Sequence, residues 1–206
     1  MKKAVNLLTA LFLSLFVICA SVSIVLYSKS IFYFDINFLN IPETSRMSEN
    51  EIKENYNAVI SYMNVFEKGE LKLPTLPMSE TGKIHFEDVK NIFSAFWYIG
   101  LISLILSCGL IIYCISDRNF RFLKTSGLIL ITTSVFAVLF VLFLGEQAFT
   151  LFHEIFFNNN YWIFDEATDP IIKILPEAFF LHSGTAIILF IFLCGIIMLF
   201  THNYLT

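Results

Sequence analysis

The stretch FSAFWYIGLISLILSCGLIIYCI, residues 93–115, decides the fold class of this chain because it contains no Lys, Arg, Asp or Glu. A helix needs about 20 mainly apolar residues to cross the roughly 30 Å of hydrocarbon in a bilayer. Three further uncharged runs of comparable length occur at 4–27, 127–145 and 183–201. The sequence therefore predicts a membrane α-helical fold, a bundle of four transmembrane helices.

The composition of the whole chain agrees with a membrane protein. Of its 206 residues, 57% are hydrophobic and 15% are charged, whereas a soluble domain has about 25% charged residues. The net charge is −4 and there is no basic tract, so no nucleic-acid partner is expected. All four cysteines fall inside the apolar runs, which argues against a disulfide framework.

Charge in the short links predicts the orientation of the helices. The link at 116–126 carries three basic residues and one acid: Arg118, Arg121, Lys124 and Asp117. Positive charge marks cytoplasmic links, and Lys2 and Lys3 lie on the same side of a four-span protein. Both termini, including the tail at 202–206, are therefore expected in the cytoplasm. The segments 28–92 and 146–182 are expected outside, and the long first run is interpreted as a retained anchor.

The two outer segments are expected to form a small mixed extracellular cap. SIFYFDINFLNI, residues 30–41, has the alternating aromatic pattern of a strand. SENEIKENYNAVISYMNVF, residues 48–66, predicts an amphipathic helix that begins with a capping box at Ser48 and Glu51. KIHFEDVKNIF, residues 83–93, predicts a helical approach to the second span.

Two histidines have matching positions in these segments. His85 lies eight residues before the second run and His153 eight residues after the third. At 1.5 Å per helical residue, each would lie about 12 Å beyond its run. Because a short link joins the second and third runs, their outer ends should be neighbours. Two imidazoles beside lipid esters can exchange protons with a substrate, although each could also be a simple interfacial anchor.

Several polar residues could support such a pair. The carboxylates of Glu87, Asp88, Asp165 and Glu177 could orient an imidazole, and the Asn160 amide could bind a carbonyl oxygen. Helix-dipole effects would also explain the first two acids, and turn chemistry would explain Asp165 and Asn160. Tyr161 and Trp162 are typical of an aromatic belt.

Two blocks of the sequence resemble a known family. KIHFEDVK at 83–90 and LFHEIFFNNNYWIFDEATDPIIKILPEAFF at 151–180 are similar to the lipoprotein intramolecular transacylase, Lit, of Gram-positive bacteria. One departure is Glu166, where the family pattern has proline. The resemblance implies a multi-pass acyltransferase of the bacterial cell membrane whose active site faces the extracellular side, in contact with membrane lipid. It implies that a diacylated lipoprotein is the substrate, that the middle (sn-2) acyl chain moves to the cysteine α-amino group, and that His85 and His153 are catalytic.

The expected reaction suits these residues. Amine and ester belong to one substrate, so attack passes through a ring of about eight atoms and gains from proximity. No protein nucleophile is then required, and either histidine could be the base; we favour His153. No cofactor or metal is indicated, and a monomer is expected. The alternatives are a zinc-dependent membrane hydrolase, although no H-E-x-x-H spacing is present, and a non-enzymatic membrane partner protein.

Overall fold

The computed structural model of the chain describes residues 2–145 and 147–206, and these residues are folded into helices and connecting loops. The described elements are α1 (Lys2–Tyr27), α2 (Ser30–Phe38), α3 (Ile41–Ser45), α4 (Glu49–Tyr62), α5 (Glu80–Ser116), α6 (Arg121–Leu144), α7 (Gln147–Phe156), a 3₁₀ turn (Pro170–Lys173) and α8 (Glu177–Leu205). The expected start of the second outer segment, Glu146, lies outside the described residues.

Four of the helices, α1, α5, α6 and α8, are long and apolar enough to cross a membrane. The prediction of four helices with the length and polarity of membrane spans is therefore confirmed. Each helix is longer than the uncharged run inside it at one or both ends. In particular, α5 extends back to Glu80, so residues 83–93 are helical as expected.

The chain divides into two compact units, and the first contains most of the spanning helices. This span unit comprises Met1–Ile24, Phe96–Leu144 and Thr185–Thr206. Small side chains bring its helices together: the Ser126 hydroxyl donates to the Ala10 carbonyl at 3.3 Å. A Cβ on Gly127 would lie 2.8 Å from the Gly195 carbonyl oxygen. Close approach at small residues is typical of packed membrane helices.

The second unit, called the loop unit here, comprises Val25–Ala95 and Gly145–Gly184. It has its own apolar core, in which Phe32, Ile52 and Ile171 are fully buried. Phe32 stacks on Tyr56 with ring centroids 3.7 Å apart and meets the edge of Phe179 at 5.2 Å. The core thus joins α2, α4, the 3₁₀ turn and the start of α8.

The expected strand at residues 30–41 is wrong, because residues 30–38 form α2 and 41–45 form α3. Buried Phe32, Asp35 and Ile36 share one helical face, while Phe34 and Phe38 are more than 60% exposed on the other. Because aromatic residues lie on both faces of α2, the sequence pattern fits the period of a strand as well as that of a helix. Packing of the buried helical face against the core of the loop unit decides in favour of the helix. The described part of the expected mixed cap is consequently helical.

The expected amphipathic helix is confirmed as α4, although it ends at Tyr62 rather than Phe66. The Ser48 hydroxyl accepts a hydrogen bond from the Glu51 backbone N–H at 3.3 Å, as the capping-box pattern predicts. The helix buries the residues expected from its periodicity, including Ile52 and Tyr56.

The start of α5 is fixed by a residue from a distant part of the chain. Asp169 is 2% exposed, and its carboxylate accepts a hydrogen bond from the Ser79 backbone N–H at 2.7 Å. Gly82 leaves the space for this carboxylate, because a Cβ there would collide with Asp169 Oδ1. Asp169 therefore holds the first turn of the helix that carries His85.

Candidate active site

The two sequence-predicted histidines lie together in the loop unit. His85 is on the first turns of α5 and His153 is on α7, and their ring centroids are 6.0 Å apart. His85 is only 6% exposed, whereas His153 is half-buried. The expected proximity of the two imidazoles is therefore confirmed.

Aromatic rings surround both histidines. The centroid of His85 lies 4.8 Å from Phe157 and 5.4 Å from Phe164. His153 lies 4.2 Å from Phe149, and it stacks on Trp162 with centroids 4.8 Å apart. The pair and these four neighbours form what we call the aromatic site, a place of low polarity that holds each ring in a fixed position.

A hydrogen bond within α7 sets the tautomer of neutral His153. Its Nδ1 lies 2.7 Å from the Phe149 carbonyl oxygen, one helical turn earlier. A carbonyl oxygen can only accept, so Nδ1 carries the proton and donates. In the neutral ring the lone pair is then on Nε2, which is the nitrogen able to accept a proton.

Burial lowers the pKa of both imidazoles, and both lie outside the predicted spans at 93–115 and 127–145. For His85, burial, reinforced by repulsion from His153, lowers the pKa to about 4, against a smaller opposing effect of Asp88. Burial also lowers the pKa of His153, opposed by the bond to Phe149 and by the charge of Glu177. Because burial disfavours the charged ring, both histidines are neutral at pH 7.

Two of the predicted supporting acids act on the pair. Asp88 is half-buried one turn beyond His85, and it accepts a hydrogen bond from the Asn159 amide at 3.0 Å. That bond ties the loop after α7 to α5. Glu177 is exposed at the start of α8, and its charge raises the pKa of His153.

The other three predicted supporting residues lie in surface settings. Glu87 is exposed and lines a separate cleft with Tyr62 and Lys83. Asp165 accepts from the Ala167 backbone N–H at 2.8 Å within a turn. Asn160 is exposed in the loop after α7. Within the described chain no hydrogen bond joins any of them to His85 or His153.

Two side-chain contacts of the loop unit were not predicted from the sequence. Trp162 was interpreted as part of an aromatic belt, yet it stacks on His153. The Nδ1 of His182, the last residue of the second outer segment, lies 2.8 Å from the carboxylate of fully buried Asp35. A carboxylate among the apolar residues of α2 was the available signal for that pair. Among residues 2–145 and 147–206, no cluster of three or more His, Cys, Asp or Glu side chains could hold a metal ion.

Comparisons with known proteins agree with this geometry. Residues 7–180 match the family model of the lipoprotein intramolecular transacylase Lit. The structure of the membrane-integral lipoprotein intramolecular transacylase Lit from Bacillus cereus is similar over all of this chain and 95% of that one, with 37% identity and a TM-score of 0.97. A structure of that protein with an H85A mutation matches with 36% identity and a TM-score of 0.91, over 100% and 93% of the two chains.

A more distant relative is an uncharacterized protein of Aquifex aeolicus. It is 30% identical over 190 residues, which cover 85% of this chain and 82% of that protein. With four helices that are able to cross a membrane and a family match over residues 7–180, this chain is a multi-pass membrane acyltransferase that belongs to the lipoprotein intramolecular transacylase family.

Proposed function

We propose that the protein moves the sn-2 acyl chain of a diacylglyceryl-cysteine lipoprotein to the α-amino group of the same cysteine, which gives a lyso-form lipoprotein. The observation that supports this most strongly is the pair of imidazoles, 6.0 Å apart and enclosed by aromatic rings. Such a site suits a substrate that brings both the amine and the ester and needs only proton transfer and a fixed orientation.

Proton balance explains why two imidazoles are useful. The substrate enters with an α-ammonium group, and the product is an amide with a single N–H. Two protons therefore leave the nitrogen: one goes to the glyceryl oxygen released from the ester, and the other goes to solvent. A single neutral imidazole cannot hold both protons, whereas a pair can accept them one after the other.

In this scheme His153 Nε2 takes the first proton from the α-ammonium group and releases it to solvent, which frees the amine lone pair to attack the ester carbonyl. After the C–N bond forms, His85 takes the second proton from the attacking nitrogen and gives it to the glyceryl oxygen as the C–O bond breaks. A ring with a pKa of about 4 is a strong acid once it is protonated, which suits His85 to this donation. Because His153 has already released its proton, two neighbouring imidazolium charges do not accumulate.

We further propose that the reaction occurs at the outer face of the bacterial plasma membrane, with both termini in the cytoplasm. The three basic residues of the link at 116–126 support this orientation. Phe152, Ile155 and Phe156 of α7 are each at least 46% exposed, and they offer apolar surface to the acyl chains beside His153.

The test is mass spectrometry of a lipoprotein N-terminus produced with the wild-type protein, with His85→Ala or with His153→Ala. Loss of a positioned acid or base costs about 10²–10⁴-fold in rate, so each variant should leave the cysteine diacylglyceryl-modified with a free amine. His202→Ala is the matched control, because His202 is a histidine of the span unit. N-acylation at the wild-type level by both His85→Ala and His153→Ala would contradict the proposal.

A further inference from the structure

Few buried polar side-chain atoms lack a hydrogen-bond partner in the part of the chain that the structure describes. Within residues 2–145 and 147–206 there are five such side-chain atoms: Asn6 Oδ1, Ser14 Oγ, Asp35 Oδ2, His85 Nδ1 and Trp162 Nε1. The last two belong to rings of the aromatic site. A buried donor without an acceptor costs about 1–3 kcal/mol, so an unpaired N–H in a catalytic site indicates a group that an incoming ligand would pair.

Trp162 is the more informative of the two atoms because its chemistry is unambiguous. The indole Nε1–H is a donor and never an acceptor, whereas either role is open to an imidazole nitrogen. Its ring stacks on His153 with an interplanar angle of 29° and centroids 4.8 Å apart. The N–H is therefore held beside the imidazole that we assign as the base.

Two other side-chain donors around the pair already have acceptors. His153 Nδ1 donates to the Phe149 carbonyl, and the Asn159 amide donates to Asp88. The acids near the pair carry negative charge and cannot stabilise a second negative charge. Acyl transfer nevertheless passes through a tetrahedral intermediate whose oxygen is an anion, and donors aimed at that oxygen contribute strongly to catalysis.

We propose that Trp162 is a further catalytic residue, whose indole N–H donates a hydrogen bond to the ester carbonyl oxygen as this oxygen becomes an oxyanion. This inference rests on the proposed function and adds to it the group that stabilises the intermediate. No covalent bond or proton changes at the indole. The acyl ester reaches the N–H from the side of α7, by displacing the exposed rings of Phe152 and Phe156.

The decisive variant is Trp162→Phe, which keeps an aromatic ring against His153 while it removes the N–H together with the rest of the five-membered ring. Loss of one oxyanion donor costs about 10²–10³-fold in kcat, and KM should change little because the bond strengthens in the transition state. Tyr161→Phe is the matched control, since it removes a polar hydrogen from the neighbouring exposed ring. Its activity should equal that of the wild type.

The thermal midpoint of unfolding in detergent separates catalysis from structure. Trp162→Phe should unfold near the wild-type temperature. A lowered midpoint that accompanies the lost activity would assign Trp162 a structural role and overturn the inference, as would a change confined to KM. If Trp162→Phe has wild-type activity while His85→Ala and His153→Ala are inactive, the inference about Trp162 is overturned and the proposed function stands. Activity in both histidine variants overturns the proposed function itself.

Discussion

The side chains of the aromatic site show how a nonpolar environment can set the protonation of two identical groups differently. His85 is deeply buried and carries no partner on Nδ1, so its charged form is strongly disfavoured. His153 is less buried, and a carbonyl and a carboxylate both favour its charged form. The ring with the less depressed pKa is the better base, which supports the assignment of His153 to that role.

Glu177→Gln should shift the acid limb of the pH–rate profile to lower pH. The carboxylate raises the pKa of His153, so its neutralisation lets that pKa fall further, and the base stays unprotonated in more acidic solution. The measurement is the initial rate of N-acylation between about pH 4 and pH 8. Glu154→Gln removes an equivalent charge from an exposed position next to His153 and should leave the limb in place. A limb that is unchanged in Glu177→Gln, or shifted equally in both variants, would contradict the expectation.

Whether a contact of the site could be predicted from the sequence depends on how far apart its two residues lie along the chain. The spacing of His85 and His153 from their apolar runs correctly indicated that the rings meet. Contacts that depend on distant residues were not predictable: Asp169 bonds to Ser79, 90 positions away, and His182 bonds to Asp35, 147 positions away. The role of Trp162 was hidden because an aromatic residue near a membrane surface already has an adequate explanation.

At the scale of the helices, α5 is the element on which the site most depends. Its first turn meets Asp169, its second turn carries His85, and its later turns enter the predicted span. The helical nature of residues 83–93 was predictable from their periodicity. The helical nature of α2 was not, because burial of Phe32 and Ile36 against α4 and α8 overrides a local preference for strand.

Gly82→Ala should destabilise the protein because the new Cβ would meet the carboxylate of Asp169. Overpacking of this kind costs roughly 1–3 kcal/mol, and it should lower the thermal midpoint and weaken N-acylation by displacing the start of α5. Gly109→Ala is the matched control in the same helix, since a Cβ there meets no atom within 4 Å. It should leave the midpoint unchanged or raise it. Equal midpoints for Gly82→Ala and the wild type would show that the first turn of α5 tolerates the added methyl group.

At the scale of the whole molecule, the four spanning helices were the most predictable feature, since hydrocarbon thickness alone fixes their length and polarity. The orientation of the protein across the membrane is a prediction from the basic residues of the link at 116–126. This orientation can be tested by chemical labelling at side chains that are exposed in the structure.

A cysteine introduced by Asn158→Cys should react with a membrane-impermeant maleimide in intact cells, because residue 158 lies in the segment expected outside. A cysteine from Tyr204→Cys should react only after the membrane is opened; Tyr204 is 89% exposed in the tail expected inside. Labelling is measured as an increase in the mass of the protein. The wild-type chain, treated in the same way, gives the background labelling of the native cysteines. The reverse pattern would show that the orientation is inverted.

The residues that we assign to the reaction come only from Val25–Ala95 and Gly145–Gly184. A consequence is that the span unit is free to diverge. Its helices can lengthen, shorten or exchange apolar residues to suit host bilayers of different thickness while the chemistry stays constant. Chimeras that keep these two segments and take the helices of the span unit from a relative should therefore retain the capacity for acyl transfer.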